Sequence, residues 1–437
     1  MGILWEFLSE KVLSNPSKLL ADGNGTITYK ELHENVMLLS RKLKRHCKYA
    51  ILCESELYAA TAILACFASG AVAVPMSVRY GGQHKKSIVE SIKISWLISD
   101  EGIKRIDEDA EEADDLSDTA VIMCTSGTTG KPKGVKLSEE NILSNLTSIQ
   151  DYFKLTDTDR ILILRSLFHI SALTGEFLTA LSAGADICFF GNSFLPIVAA
   201  KTVVDNDITV LCATPTLLNQ LCSIFSRTNK QIPLRKVVVS GECLTRAVAD
   251  RMISTLPEAE LLNVYGLTEA SPRVSALLPE DFEKYPESVG KPIKNVEVKI
   301  VDGELCVRGK NVMQGYYLNP EATKKKIIDG WLHTGDVAEL KDGFLYIKGR
   351  LDDMIIRAGV NIYPQEIENV LLRSPGIREA LALEKDGRIL VKLVGTISKK
   401  EALTICQKEL PTYAIPEQIE FVESLPKTAT GKLVRHD

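Results

Sequence analysis

Residues 125–134 carry the side chains that proteins use to hold phosphate groups. They read Thr-Ser-Gly-Thr-Thr-Gly-Lys-Pro-Lys-Gly and follow the apolar run 120–124. Glycines let backbone N–H groups turn toward an anion, hydroxyls donate to phosphate oxygens, and lysines offset negative charge. We therefore predict a nucleotide-binding loop between a buried strand and a helix capped by Ser138. The loop residues that would bind the nucleotide are Thr125, Ser126, Gly127, Thr128, Thr129, Gly130 and Lys131.

This loop does not have the Walker spacing. Only two residues separate Gly127 from Gly130, and Pro132 follows Lys131, whereas a P-loop has four residues between its glycines and Ser or Thr after its lysine. A polar surface turn is the alternative interpretation. Ten consecutive residues of this kind after a buried strand favour the phosphate loop.

Other polar clusters follow the remaining predicted strands. Apolar runs alternate with helix-like stretches, which predicts an α/β fold with mainly parallel strands; the runs lie at 120–124, 161–164, 185–190, 208–213, 236–239 and 260–264. Ligands bind beyond the carboxyl ends of such strands. Phe168-His169, Ser240-Gly241-Glu242 and residues 265–270 occupy these positions. We expect them to form, with the loop, one nucleotide site that offers a carboxylate for magnesium.

Composition narrows the class of protein. With 437 residues, 45% hydrophobic and 25% charged, the chain is expected to be a soluble globular protein of two or more domains. A net charge of −5 argues against a nucleic-acid partner. Ten cysteines without Cys-x-x-Cys or His/Cys ligand spacing are typical of a reducing compartment. The N-terminus resembles neither an export nor a myristoylation signal, so we expect a cytoplasmic protein.

An uncharged stretch at 57–78 is long enough to cross a bilayer. Gly70 and Pro75 interrupt it, and a second helix–glycine–strand pattern occurs at 177–190 around Gly184. Both segments are predicted to be buried helix-then-strand units, and no membrane span is expected.

The pattern changes after about residue 295. Three pairs of strands are predicted at 296–307, 337–348 and 380–394, each turning at an Asp-Gly pair. The polar segment 349–353 separates two apolar blocks and marks the expected boundary. We therefore predict an N-terminal domain at 1–349 and a small C-terminal domain at 350–437.

Five segments together resemble the signature motifs of the adenylate-forming superfamily, which contains acyl- and aryl-CoA synthetases, peptide-synthetase adenylation domains and firefly luciferase. They are residues 125–134, 265–269, 334–336, 349–352 and 426–432, in the family's order. The resemblance implies a large N-terminal domain of mainly parallel sheets covered by helices, plus a small, mobile α+β C-terminal domain. It also implies that ATP adenylates a carboxylic acid, with loss of pyrophosphate, before the acyl group passes to a thiol.

By the same resemblance, each motif residue has an expected role. Lys432 would bridge the substrate carboxylate and the α-phosphate, Thr268 would donate to the α-phosphate, and Glu269 would bind Mg²⁺. Tyr265 would stack on adenine, and Gly241 and Glu242 would line the other side of the ring. Gly266 would also contribute to nucleotide binding. Asp336 and Arg350 would hold the ribose hydroxyls. Each assignment has an alternative. Lys432 could be a solvated lysine of the tail, and Glu269 a surface carboxylate. Tyr265 could be a core tyrosine, and Arg350 could form only a salt bridge.

Three further residues concern the acid and the thiol. Asp352 matches the hinge about which the small domain rotates, and Gly359 matches a glycine of the thiol channel, although a simple turn glycine is equally consistent. His169 resembles a histidine beside the acyl pocket, where it would orient the acid as a catalytic residue; a packed histidine is the alternative. Amino-acid-activating domains usually have an aspartate near this point, so an α-amino acid is disfavoured.

The leading hypothesis is an ATP- and Mg²⁺-dependent ligase that joins a small-molecule carboxylic acid to coenzyme A. The second is a stand-alone adenylating enzyme that loads the phosphopantetheine thiol of a carrier protein. The third is a nucleotide-binding regulator that has lost catalysis. The sequence does not indicate which acid is used or what the oligomeric state is. Compared with most members of the superfamily, the chain is shorter in its N-terminal region, so we make no prediction for the outer wall of the acyl pocket.

Overall fold

The structure, a computed structural model, describes residues 2–435 with the exception of 108–115, 127–131, 192–194, 358–359, 375 and 427–434. In chain order the α-helices are α1 (Ile3–Ser14), α2 (Tyr29–Ser40), α3 (Glu56–Ser69), α4 (Gly82–Ile92), α5 (Glu139–Phe153), α6 (Ile170–Ala172), α7 (Thr179–Ala183), α8 (Pro196–Asp205), α9 (Pro215–Phe225), α10 (Arg246–Thr255), α11 (Pro279–Phe282), α12 (Pro320–Lys326), α13 (Pro364–Leu372) and α14 (Lys399–Glu409). A π-helical turn covers Leu173–Leu178, and short 3₁₀ turns cover Thr268–Ala270 and Thr412–Ala414.

The strands up to the phosphate loop and its partner are β1 (Leu19–Asp22), β2 (Gly25–Thr28), β3 (Lys48–Ile51), β4 (Val72–Pro75), β5 (Trp96–Ser99), β6 (Gly102–Arg105), β7 (Thr119–Ser126) and β8 (Pro132–Ser138). The next are β9 (Arg160–Ile163), β10 (Asp186–Phe189), β11 (Val210–Ala213), β12 (Lys236–Ser240), β13 (Glu260–Gly266), β14 (Arg273–Leu277), β15 (Lys291–Pro292), β16 (Val296–Val301), β17 (Glu304–Gly309) and β18 (Gly315–Tyr316). The last are β19 (Ile327–Ile328), β20 (Trp331–Lys341), β21 (Phe344–Arg350), β22 (Ile355–Arg357), β23 (Val360–Ile362), β24 (Ile377–Lys385), β25 (Arg388–Gly395) and β26 (Gln418–Phe421).

Two large sheets share the parallel strands. The nine-stranded sheet has the order β15-β14-β13-β12-β11-β9-β10-β1-β2, with parallel pairing from β13 to β1. The seven-stranded sheet has the order β18-β8-β7-β4-β3-β5-β6, with β7, β4, β3 and β5 parallel. All five residues of β12 are buried, as expected for a strand covered by helices on both faces.

Three smaller sheets follow in the chain, and their pairs are antiparallel except that β25 and β26 run parallel. Strands β16, β17, β20, β19 and β21 form one sheet, β22 pairs with β23, and β24, β25 and β26 form a third sheet. The hairpins β16–β17, β20–β21 and β24–β25 confirm the three predicted pairs. Their turn residues Asp302, Asp342 and Asp386 have positive φ, and glycine follows each of them.

The uncharged segment at 57–78 forms helix α3 and strand β4. Eleven of the fourteen residues of α3 are buried, and Gly70 ends the helix in the left-handed conformation with φ of 74°. Burial within the fold thus explains why the segment lacks charge. Over the described ranges, every helix is too short or too polar to cross a bilayer.

The surroundings of the phosphate loop differ from the prediction in two respects. Helix α5 begins after Ser138, whose hydroxyl accepts from the N–H of Asn141 as a cap, but strand β8 precedes it and pairs antiparallel with β7. The loop therefore joins two strands of a hairpin. It also belongs to the seven-stranded sheet, whereas the other three polar clusters follow strands of the nine-stranded sheet, so the expectation of a single sheet edge was wrong.

Candidate functional site

The candidate site is built at the carboxyl ends of four neighbouring strands, β9, β11, β12 and β13. Arg165, Thr214, Gly241 and Gly266 stand at or just beyond these ends. Because the four strands run parallel, their ends meet at one edge of the sheet. Three of the four clusters predicted from the sequence are therefore brought together.

Tyr265, Asp336 and Arg350 form a connected line of side chains. The Tyr265 hydroxyl donates to Asp336 Oδ2, and Arg350 Nη1 donates to Asp336 Oδ1 at 3.0 Å. Asp336 lies opposite Arg350 in the β20–β21 pair, so strand register fixes their approach. Burial, followed by the charge of Asp336, raises the pKa of Tyr265 well above its usual value. Tyr265 is therefore a neutral hydrogen-bond donor.

Gly266 ends strand β13 where two segments of backbone come close together. A Cβ atom at this position would lie 2.1 Å from the carbonyl oxygen of Pro272. Only glycine fits without moving the backbone. The close approach sets the direction in which the chain leaves Tyr265 toward Glu269.

Glu269 lies in the short turn Thr268–Ala270. Its Oε1 accepts from the hydroxyl of Tyr316 at 2.8 Å, and its backbone carbonyl accepts from the N–H of Met313 at 2.9 Å. The burial of Tyr316, followed by the charge of Glu269, raises the pKa of this tyrosine. Tyr316 thus holds one carboxylate oxygen of Glu269, and the hard-oxygen chemistry of this group suits a magnesium ion.

Lys326 is a cation of the site that the sequence did not reveal. A Cβ on Gly335 would lie 3.2 Å from Lys326 Nζ and 3.0 Å from Arg350 Nη2, so both cations flank the 334–336 turn. Burial lowers the pKa of Lys326, while the charge of Glu269 acts in the opposite direction. In the sequence Lys326 ends a run of three lysines, and nothing there distinguishes it from its neighbours.

Glu304 supports the 334–336 turn from behind. One carboxylate oxygen accepts from the N–H of Gly335 at 2.7 Å, and the other contacts His333 Nδ1 at 2.7 Å. Cys306 Sγ lies 3.5 Å from the same nitrogen, so Glu304, Cys306 and His333 form a group of potential metal ligands. Since both oxygens of Glu304 already have partners, its evident role is to position Asp336.

Gly241 and Glu242 follow strand β12. Gly241 has φ of 94°, in the left-handed region that favours glycine. Glu242 Oε2 accepts from Thr216 Oγ1 at 2.7 Å and so contacts the first turn of α9. This bond ties the turn after β12 to the helix that follows β11.

His169 belongs to an aromatic cluster beside the strand ends. Its ring centroid lies 4.0 Å from that of Phe168, and Phe168 lies 5.5 Å from Tyr80. His169 also precedes α6 as its N-cap residue in an extended conformation. These rings form an aromatic cluster, and the position of His169 beside an acyl pocket stays a prediction.

Arg165 brings a positive charge close to the aromatic cluster, and none of the sequence motifs contains this residue. Its Nη2 donates to Ser240 Oγ at 2.9 Å and to Glu176 Oε1 at 3.2 Å. Glu176 is fully buried on the π-helical turn. An ion pair between the partly exposed Arg165 and the buried Glu176 therefore stands directly behind the ends of β9 and β12.

Several predicted residues have no described placement. Gly127, Thr128, Thr129, Gly130, Lys131, Gly359 and Lys432 lie outside the described residues, and Ser126 is described only as the last residue of β7. Thr125 is half-buried near the end of β7. The predicted hinge residue Asp352 is largely exposed, with its Oδ2 3.7 Å from Arg350 Nη2.

Comparison with known proteins identifies the family. Residues 8–317 match the AMP-binding enzyme family, and residues 366–432 match the AMP-binding enzyme C-terminal domain. The chain is 30% identical to a 2-succinylbenzoate–CoA ligase of Bacillus velezensis, over 98% of this chain and 96% of the relative. It is 34% identical to a long-chain-fatty-acid–CoA ligase of Salmonella typhimurium, over 73% of this chain and 61% of the relative.

Solved structures give the same result. The O-succinylbenzoate coenzyme A synthetase of Bacillus subtilis in complex with AMP has a TM-score of 0.86 at 28% identity, covering 98% of this chain and 97% of that one. The complex of that synthetase with ATP and a magnesium ion has a TM-score of 0.85. The chain therefore belongs to the family of AMP-binding enzymes, the AMP-forming acyl- and aryl-CoA ligases of the adenylate-forming superfamily.

Proposed function

We propose that this protein activates a carboxylic acid with ATP and Mg²⁺, forming an acyl adenylate and pyrophosphate, and then transfers the acyl group to coenzyme A. The observation that carries the proposal is the line Tyr265–Asp336–Arg350, which stands with Glu269 beside the ends of parallel strands. An aromatic ring, a ribose acceptor and a magnesium ligand in this order suit a mononucleotide.

At the nucleotide, Tyr265 stacks on adenine while Gly241 and Glu242 border its other side. Asp336 accepts from the ribose hydroxyls, because a carboxylate has lone pairs beyond those used by Tyr265 and Arg350. Arg350 holds Asp336 in place and neutralises it. The loop residues Thr125–Ser126 and the five that follow them bind the β- and γ-phosphates.

The first chemical step is attack of the acid carboxylate on the α-phosphorus. One P–O bond forms, the bond to pyrophosphate breaks, and no proton has to move. Since both reactants are anionic, catalysis requires donors and cations aimed at the α-phosphate. Thr268 and Lys432 supply them, and His169 orients the acid. A magnesium ion would be held by Glu269, where it would supply further positive charge to the phosphates.

Lys326 adds a further positive charge beside Glu269 and the 334–336 turn. Among the described residues no hydrogen bond or ion pair joins Lys326 to a partner, so its ammonium remains available to the nucleotide. We assign it to the phosphate groups. Its low-dielectric surroundings strengthen an interaction with phosphate compared with that of an exposed lysine.

The second step requires a different arrangement of the same site. Rotation of the C-terminal domain about Asp352 would withdraw Lys432 and open a thiol channel past Gly359. The coenzyme A thiolate then attacks the acyl carbonyl and AMP leaves. With the expected boundary, 1–349 and 350–437, Asp352 is the third residue of the C-terminal domain.

Coenzyme A is the acceptor that the relatives support, because two relatives that match nearly the whole chain are named as CoA ligases. A carrier-protein phosphopantetheine is the second candidate. The cytoplasm supplies ATP and coenzyme A, and ten free cysteines suit its reducing conditions. A thioester assay that compares coenzyme A with a phosphopantetheinylated carrier protein separates the two acceptors.

The adenylation step is tested by pyrophosphate–ATP exchange with a panel of aromatic, short-chain and medium-chain acids. Lys432→Ala should abolish exchange, while Lys408→Ala, at an exposed lysine of α14, should leave it close to wild type. If exchange were unchanged in Lys432→Ala, the role of Lys432 would be wrong. If the wild type exchanged with no acid yet bound ATP, the regulator hypothesis would replace the ligase.

A further inference from the structure

We propose that Arg165 forms an anion subsite in the acid pocket, and that the substrate is an acid with a second carboxylate distant from the one that reacts. This inference rests on the proposed function, since it names the substrate class of the same site. It assigns to Arg165 a specificity role that no motif of the family carries.

Arg165 stands where the acid is expected. It follows β9, and its guanidinium reaches across β11 to the end of β12, where it binds Ser240. A Cβ on Gly241 would lie 3.5 Å from Arg165 Nη1 and 3.6 Å from Thr214 Cγ2. The ends of all three strands thus meet around this cation.

The charges around Arg165 do not balance. Glu176 is fully buried and faces two guanidinium groups, those of Arg165 and of the buried Arg273. Two cations and one carboxylate leave net positive charge in the group whether Glu176 is ionised or neutral. One further anion would neutralise the group when Glu176 is ionised.

Hydrogen-bonding capacity is also left over. Within the described part of the chain, Arg165 Nε, Arg273 Nε and Glu176 Oε2 are buried without a hydrogen-bond partner. Both hydrogen bonds from the Arg165 guanidinium to described residues leave from Nη2, and Nη1 makes none with them. Nη1 can therefore donate a charge-assisted hydrogen bond to an oxygen of a carboxylate.

Arg165 differs from Arg273 in being accessible. The Arg165 side chain is 22% exposed, whereas Arg273 is 3% exposed. Glu176 and Ser240 hold Arg165 in a fixed direction, so little side-chain freedom is lost when it binds a ligand. A purely hydrocarbon acid would bury this cation against apolar groups, which is unfavourable.

The competing assignment is that Arg165 binds the reacting carboxylate. Matched acids separate the two. The probes are 2-succinylbenzoate with its ring-decarboxylated analogue 4-oxo-4-phenylbutanoate, and glutarate with butanoate. The variants are Arg165→Met, which keeps an unbranched side chain without charge, and Arg165→Lys, which keeps the charge but loses the guanidinium.

Acid-dependent AMP formation and calorimetric binding of each acid are measured on the full chain. We expect the wild type to prefer at least one diacid over its matched monoacid by about 10- to 100-fold in kcat/KM and in affinity. Arg165→Met should abolish that preference by lowering the values for the diacid alone. The diacid preference of Arg165→Lys should lie between those of the wild type and of Arg165→Met. Arg251→Met, a surface arginine of α10 that contacts Asn219, is the control and should change nothing.

An equal loss for the diacid and the monoacid in Arg165→Met overturns the inference, as does a wild type without preference for any diacid. Binding does not require turnover, so the two proposals fail separately. Arg165-dependent diacid binding without AMP formation would refute the ligase and keep the subsite. AMP formation that does not depend on Arg165 would refute the subsite and keep the ligase.

Discussion

Asp336 is the residue around which the proposed nucleotide site is organised. It is buried, it accepts from Tyr265 and Arg350, and its N–H donates to Thr334 Oγ1 at 3.0 Å. Glu304 fixes the preceding Gly335. The carboxylate is thus held in one orientation before any ligand arrives, which reduces the entropy lost on binding.

Asp336→Asn keeps the size of the side chain but replaces one acceptor oxygen with a donor and leaves Arg350 without its counter-ion. We expect kcat/KM for ATP to fall by about 10- to 100-fold, mainly through a higher KM. Asp342→Asn, at a hairpin turn, should match the wild type because asparagine also tolerates positive φ. A KM for ATP unchanged in Asp336→Asn would contradict the ribose role.

If Lys326 binds the phosphate groups as proposed, we expect nucleotide affinity to be sensitive to alkaline pH. Burial lowers its pKa, so the ammonium loses its proton at a lower pH than an exposed lysine does. As pH rises through this lowered pKa, the wild type should lose ATP affinity. Lys326→Arg stays charged and should hold its affinity over the same range.

At neutral pH, Lys326→Ala should raise the Kd for ATP by about 5- to 30-fold. Lys325→Ala is the matched control, since that side chain is exposed on the same helix. Equal effects of the two alanine variants, measured by calorimetry, would exclude a specific role for Lys326.

At the scale of elements, Asp159 anchors the start of β9 and so sets the position of Arg165 at its other end. Its buried carboxylate accepts from Arg235, from Thr209 Oγ1 at 3.0 Å and from the N–H of Thr156 at 3.0 Å. These bonds join β9 to the segments before β11 and β12. The bases of three parallel strands are therefore tied together.

Asp159→Asn should lower the free energy of unfolding by about 1.5–3 kcal/mol at pH 7. Burial raises the pKa of Asp159, but the hydrogen bonds from Arg235, Thr156 and Thr209 outweigh it, and the net shift is downward. A carboxylate whose pKa is lowered in the folded state stabilises the fold at pH values above its pKa in the unfolded chain. This stabilisation is lost as pH falls and the carboxylate is protonated. Urea denaturation should therefore show the gap to wild type closing below about pH 4. Asp157→Asn, an exposed neighbour, should show no gap.

Sequence patterns predicted these elements where local chemistry decides them. The Asp-Gly pairs at 302, 342 and 386 specify hairpins, and Ser138 specifies a helix start, because each depends only on adjacent residues. Strand β8 was missed since lysines at 133 and 136 interrupt its apolar pattern. Arg165 and Lys326 could not be identified, because their partners lie far away in the chain and only the fold brings them together.

At the scale of the whole molecule, the proposed adenylation step requires the C-terminal segment to present Lys432 to the nucleotide. Arg435, three residues later, donates to Glu368 Oε2 at 2.8 Å and to the carbonyl of Ala382 at 2.9 Å, and its Nε lies 3.1 Å from Asp353 Oδ2. Glu368 is 4% exposed. This ion-pair network fixes the end of the chain to helix α13 and strand β24.

Glu368→Gln should loosen this attachment and lower the rate of acid-dependent pyrophosphate release by about tenfold, because Lys432 is positioned less well. Thioester formation from a supplied acyl adenylate should change little, since that step does not use Lys432. Glu409→Gln, which alters a surface pair with Arg373, is the control. Equal loss in both steps would argue that the network serves stability alone.

The central claim is that this site cleaves ATP between the α- and β-phosphates to activate an acid for thioester formation. Mass spectrometry of a reaction that contains the full chain, ATP, Mg²⁺, coenzyme A and one active acid of the panel tests it directly. We expect AMP, pyrophosphate and acyl-CoA in equal amounts, and acyl-AMP when coenzyme A is omitted. Formation of ADP and phosphate, or of AMP without dependence on the acid, would contradict the account.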